Sequence, residues 1–355
     1  MLSSPLTIEG YEIPGEWVST FEEVKKGKTT LVLGASNSGK TTLVKFLINE
    51  FVKAGGRIAF VDGDIGQSTL GVPTTVGSSI ISSAEELMSP RIKSLFFVGS
   101  TSPPGHLLQL ASGLRQTVDI LLRENPDAVI IDTTGFIGGG AAFELKYQKI
   151  SLLRPTHIVA IQKEGELEPI LRSVHGSSEI LRLKPAVGVT PRLLDERQAY
   201  REKKFREYFS SAKTLEFDFD KITLRRHGFG EGLPIPEYKL SEISRTSGFD
   251  LIYGEEGRDE GFFISRSMGY YPPGVSRIGN HIKKNYIKVI NRSELHGGLV
   301  GLGSCGDFIS GLGIIKELKE GKIEVLTPIK DPSRISLVTI GTLKLDPQGR
   351  EVGKI

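Results

Sequence analysis

The stretch "TTLVLGASNSGKTT", Thr29 to Thr42, limits what this 355-residue chain can fold into more than any other. An apolar run ends at Gly34, small polar residues and a second glycine follow, and Lys40 and Thr41 open a segment of helical spacing, "KTTLVKFLINEFVKAG". The pattern G-x-x-x-x-G-K-[ST] between strand and helix is the signature of a P-loop. Backbone N–H groups of Gly34, Ala35, Ser36, Asn37, Ser38 and Gly39 are expected to close around phosphate oxygens, with Thr42 in the helix's first turn. The helix adds the positive end of its dipole. Lys40 is expected to reach the β and γ phosphates and Thr41 to offer its hydroxyl to Mg2+. The ligand implied is a nucleoside triphosphate, ATP or GTP.

From Thr29 to about Phe217, short apolar runs ("TTLVLG", "RIAFVD", "SLFFVG", "DAVIID", "HIVAIQ", "EILRLK") alternate with longer segments of three- and four-residue apolar spacing. Strict alternation predicts an α/β fold, a P-loop NTPase domain with a mostly parallel sheet and ligands at the carboxyl ends of its strands. After about residue 225 the texture changes. Half of the 42 glycines fall from Gly228 onward, between short strand-like runs, which predicts a smaller β-rich C-terminal domain. The boundaries expected are 1–225, with a lead-in over 1–27 and an arginine-rich lid at about 190–210, and 226–355, opened by a linker, "RRHGFGEGLPIPEYKLSEISRTSG".

A net charge of +3 points to no bulk polyanion binding, so any such site must come from local clustering. One cysteine, Cys305, excludes an internal disulfide and a cysteine-rich zinc site. No run approaches the roughly 20 apolar residues of a membrane span, and the N-terminus lacks a secretory pattern. The expectation is a cytoplasmic protein without a membrane partner.

Two further strand ends carry acids. "FVDGDIGQST" presents Asp62 and Asp64 two residues apart, and "VIIDTTGF" presents Asp132 in a D-x-x-G pattern. Residues two apart in a strand share a side, so metal binding and proton transfer could fall to either of the first pair. D-x-x-G suggests a switch-type GTPase, but the guanine-reading N-K-x-D is missing: "IVAIQKEGE" supplies Gln162 and Lys163 with no Asp two residues on. The segment "TPRLLDERQAYREKKFREYF" places Arg197 and Arg201 four apart on one helix face, with Arg192 near the helix start. Phosphoryl transfer needs mobile cations of this kind.

These elements in this order ("GASNSGKTT", "DGDIGQS", "GSTSPPGH", "DTTGFIGGG", then the arginine helix) resemble the polynucleotide 5′-hydroxyl kinases. That family includes the RNA kinase of the eukaryotic pre-mRNA cleavage machinery, the kinase of pre-rRNA processing, and archaeal relatives. The ending "LTPI…GTLKLDPQGREVG" looks like that of the archaeal members. The resemblance implies that Asp64 is the general base on the 5′-hydroxyl, that Arg192 and Arg197 are lid arginines, and that Arg201 is a further basic contact. It implies substrate contacts at Gln67, at Thr101 and His106 of the clasp, and at Thr133, Gly135 and Phe136. His106 stands where eukaryotic members carry Asn, and Phe136 where many have Trp, still a π-face for a nucleobase. Asp62 at its strand end is then expected to serve Mg2+ with Thr41, and Asp132, where eukaryotic members carry Asn, keeps a metal role open too.

The function expected is transfer of the γ-phosphate of ATP or GTP to the 5′-hydroxyl of RNA or DNA, with Lys40, Asp64, Arg192 and Arg197 as catalytic groups and protein partners in RNA processing. Two rivals predict other behaviour. An ATP-bound, non-catalytic scaffold would lack transfer, and a switch-type GTPase or ATPase would release free phosphate.

Overall fold

The computed structural model describes residues 5–8, 13–186, 193–267 and 271–355. By its own contacts the chain divides into two compact units, 1–204 and 205–355.

In the first unit, α1 (Gly15–Val24) leads into β1 (Thr29–Gly34), α2 (Lys40–Lys53), β2 (Ile58–Gly63), β3 (Thr75–Ile81), α3 (Ala84–Met88) and β4 (Ile92–Phe97). Then follow α4 (Leu107–Leu122), β5 (Ala128–Thr133), α5 (Gly140–Leu153), β6 (His157–Ile161), α6 (Glu168–Ser173), β7 (Glu179–Leu183) and α7 (Leu194–Phe209), whose last turn passes the unit boundary at residue 204. The strands form one sheet in the order β4-β3-β2-β5-β1-β6-β7. Every residue of β1, β2, β5 and β6 is buried. That burial is why these four strands read as unbroken apolar runs and run parallel to one another. Their carboxyl ends deliver the P-loop, the Asp62 to Thr69 loop and the Asp132 to Phe136 loop to one edge. In the register of β2 with β5, Asp62 lies directly opposite Asp132.

Strict alternation fails at one edge. Strand β3 runs antiparallel to β2, and β4 antiparallel to β3. The sequence "TVGSSII" hides this strand because its inner positions are small and polar: Ser78 Oγ pairs with Ser94 Oγ at 2.6 Å, and Ser79 Oγ donates to the Arg91 carbonyl at 2.8 Å. The lead-in is also structured. Trp17 and Phe21 of α1 pack on Phe46 and Phe51 of α2, with ring centroids 5.6 and 5.1 Å apart.

In the second unit, strands Leu233–Pro234, Leu251–Glu256, Glu260–Ser265 and Tyr286–Asn291 form a small sheet. A larger, mainly antiparallel sheet contains Gly298–Gly303, Gly311–Lys319, Lys322–Thr327 and Leu337–Leu345. Strand Lys213–Asp218, which precedes the change in composition at about residue 225, pairs with Lys322–Thr327 in this sheet. The segment expected to be a linker is ordered instead. It holds helix Glu237–Ser247, whose Ile243 is fully buried against a cluster including Phe249 and Ile278. None of the described helices is long and apolar enough to cross a membrane.

Gly77 in β3 shows how tightly the antiparallel edge packs on the loop that follows β2. A Cβ there would lie 2.4 Å from the Leu70 carbonyl oxygen. Gly77→Ala is therefore expected to cost about 1–3 kcal/mol through overpacking, read as a lower urea midpoint with an unchanged m-value; an unshifted midpoint would show that the loop gives way freely.

Candidate active site

The P-loop takes its shape from two left-handed residues, Asn37 at φ 62° and Gly39 at φ 89°, the latter capping the N-terminus of α2. Asn tolerates that region better than most side chains and glycine enters it freely. Gly34 is required for a different reason: a Cβ would meet Ser38 Oγ at 2.4 Å and the Ile161 carbonyl at 2.9 Å. Lys40 is buried and donates to the Ala35 carbonyl at 2.7 Å. Burial holds its pKa below the usual lysine range, with the Arg197 charge acting the same way and the Asp132 and Asp64 charges opposing.

A cleft of about 810 Å³ lies over this loop. Ser36, Asn37, Gly39, Lys40, Thr41 and Thr42 form its floor, and Asp64, Gly66, Gln67, Thr101, Thr134, Gly135, Phe136, Arg197 and Arg201 contribute to its walls. The structure thus brings together residues from five segments that the sequence places far apart. Thr41 Oγ1 donates to Asp132 Oδ2 at 2.7 Å, and the Thr133 N–H donates to Asp132 Oδ1 at 2.8 Å. Burial raises the Asp132 pKa.

Asp62 and Asp64 differ sharply in surroundings. Asp62 is fully enclosed, and its Oδ1 accepts from the Asp64 N–H at 3.1 Å. Its Oδ2 accepts from the Leu70 N–H at 2.8 Å, from Ser68 Oγ at 3.2 Å, and from the Thr69 N–H. Burial, helped by the Asp132 charge, pushes its pKa up to about 7 against the pull of the bonds from Leu70 and Asp64. Asp64 is half-buried at the cleft wall. Its Oδ1 accepts from the Gly66 and Gln67 N–H groups at 3.0 and 3.1 Å, which pins the carboxylate, while among the described residues Oδ2 takes no hydrogen bond.

Helix α7 sits against the loop after β2. Gln67 Nε2 donates to the Arg197 carbonyl at 3.2 Å, and the Tyr200 hydroxyl donates to the Ser68 carbonyl at 2.8 Å. Gln67, expected as a ligand contact, therefore also holds the arginine helix. Arg192 lies outside the described residues. Thr133 is buried, with its hydroxyl donating to the Val32 carbonyl at 2.8 Å, so it faces the fold's interior and not the cleft. His106 is the residue before α4 and is not part of the cleft lining, whereas Ser102 and Pro103 of the same clasp are. Phe136 is half-buried at the cleft wall, where a ring can meet a ligand.

Sequence reasoning passed over Tyr200, Lys146 and Lys149. Tyr200 is hidden in a segment that reads as a charged helix. The two lysines carry a signal: Ala142, Lys146, Lys149 and Leu153 recur at the spacing of a buried helix face.

The family model described as "mRNA cleavage and polyadenylation factor CLP1 P-loop" matches residues 34–211, from the first P-loop glycine to just beyond the arginine helix. The chain belongs to this CLP1 P-loop family. A relative from Pyrococcus abyssi, named polyribonucleotide 5′-hydroxyl-kinase, is 30% identical over 339 residues, 95% of this chain and 93% of its own length. One of the same name from Methanocaldococcus jannaschii is 28% identical over 343 residues, 95% of this chain and 92% of its own. Among solved structures, Clp1p in its complex with Pcf11p aligns with a TM-score of 0.61 at 16% identity, covering 92% of this chain and 78% of that one. At that identity the likeness shows a shared fold. Membership in the CLP1 family accounts for a cleft built on a P-loop and for the binding of a nucleotide phosphate donor there.

The contact of Tyr200 with Ser68 gives a test of how the CLP1-family arginine helix is held. One hydrogen bond is worth about 0.5–1.5 kcal/mol. Tyr200→Phe should then speed amide hydrogen exchange within Leu194–Phe209 by about 2- to 10-fold. Unchanged exchange would assign the holding to other contacts.

Proposed function

We propose that this chain is a polynucleotide 5′-hydroxyl kinase that moves the γ-phosphoryl group of ATP or GTP to the 5′-hydroxyl of RNA, with DNA ends as a second acceptor to be compared. The observation that carries this reading is the state of Asp64. One carboxylate oxygen is pinned by two backbone N–H groups, and the other takes no bond among the described residues, at the wall of the cleft whose floor is the P-loop. A base on an acceptor alcohol needs that combination of fixed position and open lone pairs. The names of the archaeal relatives support the same acceptor.

In this reading the P-loop N–H groups and Lys40 hold the donor phosphates. The acceptor hydroxyl approaches Asp64 Oδ2, which receives its proton as the new P–O bond forms and the bond to the leaving diphosphate breaks. Arg197 supplies positive charge from α7, and the Arg192 expected beside it lies beyond the described residues. Lys40 and Arg197 oppose the negative charge spread over the moving phosphoryl group. Phe136 offers a face for the terminal base and Arg201 a contact for the polynucleotide backbone. When bound, Mg2+ would neutralise phosphate oxygens. The donors fit it: a threonine hydroxyl and a carboxylate already paired, both oxygen, suit a cation that takes one or two carboxylates and completes its shell with water and phosphate. Asp132 is our choice for that carboxylate, because Asp62 already receives four bonds from its own loop.

Incubation with γ-labelled ATP and 5′-hydroxyl oligonucleotides, RNA and DNA in parallel, should move label onto the oligonucleotide. Label left only in ATP and free phosphate would refute the proposal and favour a switch-type hydrolase. Asp64→Asn should lower turnover by about 10²- to 10⁴-fold with nucleotide affinity retained; matched loss of nucleotide affinity would make Asp64 a metal ligand.

The two other acids should separate as well. Asp132→Asn is expected to raise the Mg2+ requirement for nucleotide binding by about 10-fold or more. Asp62→Ala should instead lower stability by about 1–3 kcal/mol, since it strands buried donors. Exchange of these two phenotypes would reverse the assignment.

A further inference from the structure

Two lysines are buried behind the cleft. Lys146 and Lys149, three residues apart on α5, are both 0% exposed, on the same inward stripe as Ala142, Leu145, Ile150 and Leu153. Enclosing an amine costs free energy unless something offsets it. Burial accordingly holds both pKa values down, that of Lys149 to about 7. Their hydrogen bonding differs. Among the described residues, Lys149 Nζ has no hydrogen-bond partner. Lys146 Nζ donates to the Thr134 carbonyl at 2.6 Å and to Thr133 Oγ1 at 3.1 Å, and Thr133 Oγ1 in turn donates to the Val32 carbonyl of β1.

The acceptors of Lys146 are the last residue of β5, Thr133, and the first of the loop that leaves it, Thr134, and Thr134, Gly135 and Phe136 of that loop form one wall of the cleft. The wall is pressed against the P-loop: a Cβ on Gly135 would lie 2.4 Å from Ser36 Oγ and 2.5 Å from the Ser36 nitrogen. Further along, Gly138, Gly139 and Gly140 have open space where side chains would stand, so packing there does little to fix the loop. The bond from Lys146 to the Thr134 carbonyl is thus a fixed point between β5 and a run of glycines. It sets the plane of the peptide from which Gly135 and Phe136 follow.

We propose that Lys146 is a positioning residue of the reaction: from inside the domain it holds the Thr134 to Phe136 wall against the P-loop, in the placement that engages the polynucleotide end. The proposal rests on the reading of the cleft as a polynucleotide kinase site. Lys146 touches neither nucleotide nor acceptor. Its action passes through the Thr134 carbonyl, so its loss should weaken the acceptor side of the cleft and spare the donor side.

The test is Lys146→Met, which keeps the length of the side chain and removes the donor. Replacing a buried charged group by an apolar one of similar shape is often neutral or stabilising, so a positioning role predicts a separation that a structural role does not. Binding of a fluorescent 5′-hydroxyl RNA, followed by anisotropy with a non-hydrolysable ATP analogue present, should weaken by about 10-fold or more. Affinity for the analogue should change by less than about 2-fold, and the melting temperature should hold or rise. Unchanged RNA binding would overturn the proposal, as would parallel losses of RNA binding, nucleotide binding and melting temperature. Lys149→Met removes an equally buried amine that has no hydrogen bond to the wall, and it should leave RNA binding unchanged; an equal loss there would trace the effect to removal of any buried amine from α5 and overturn the proposal too. If Lys146→Met does not fold, Thr133→Val removes one of the two acceptors within the same shape and should weaken RNA binding in the same selective way, an unchanged affinity counting against. Binding by the wild-type protein without label transfer in the separate kinase assay would refute the kinase reading, while the anisotropy comparison would still judge the role of Lys146.

Discussion

The Asp62 carboxylate holds together the part of the molecule on which the rest of the site depends. Sunk at the end of β2, it gathers the N–H groups of Asp64, Thr69 and Leu70 and the hydroxyl of Ser68. A loop closed in this way has little freedom, and it presents two features to the outside. Asp64 comes out at the cleft wall, and Gln67 and the Ser68 carbonyl meet helix α7. Asp64 and the arginine helix are thus referred to one rigid loop. In the reading we propose, a general base and a charge-neutralising arginine must hold a fixed relation through phosphoryl transfer, and a shared loop would supply that relation at the cost of one buried carboxylate.

Buried ionisable groups recur around this centre. Asp62, Asp132, Lys40, Lys146 and Lys149 are all enclosed. Such groups are expensive in a core of apolar strands, and they cluster where a fold serves chemistry more than stability. Four of the five make hydrogen bonds that shape the cleft: Asp62 closes the loop, Asp132 meets Thr41, Lys40 meets the P-loop carbonyl of Ala35, and Lys146 meets Thr134. The fifth, Lys149, has no hydrogen-bond partner among the described residues. The parallel sheet makes this clustering possible, because its strands end side by side and bring Asp62 opposite Asp132.

How much was legible beforehand depends on the range of the interaction involved. The P-loop could be read because its function is local: glycine conformation, lysine and threonine sit within a few residues of one another. The parallel strands could be read because burial on both faces writes an apolar run. Strand β3 could not, since its inward serines pair with partners on β4 and on the segment before it, and polar residues bonded to each other look like surface in one dimension. The supposed linker likewise concealed Ile243, whose apolar partners lie on either side in the sequence and come together only in three dimensions.

The sequence by itself determined that a strand, a phosphate loop and a helix must occur together, that acids follow the neighbouring strands, and that an arginine helix comes later. These are properties of short stretches, set by backbone freedom and side-chain chemistry. Which acid is enclosed and which faces the cleft was decided only by the tertiary structure. Asp62 and Asp64 are chemically identical and two residues apart, and what separates them is the hydrogen bonds each receives from its surroundings: four donors close on Asp62, and one oxygen of Asp64 is left to the cleft. Lys146 was decided in the same way, because a lysine on a helix becomes a fixed point only when the fold brings a carbonyl to it and shuts out the water.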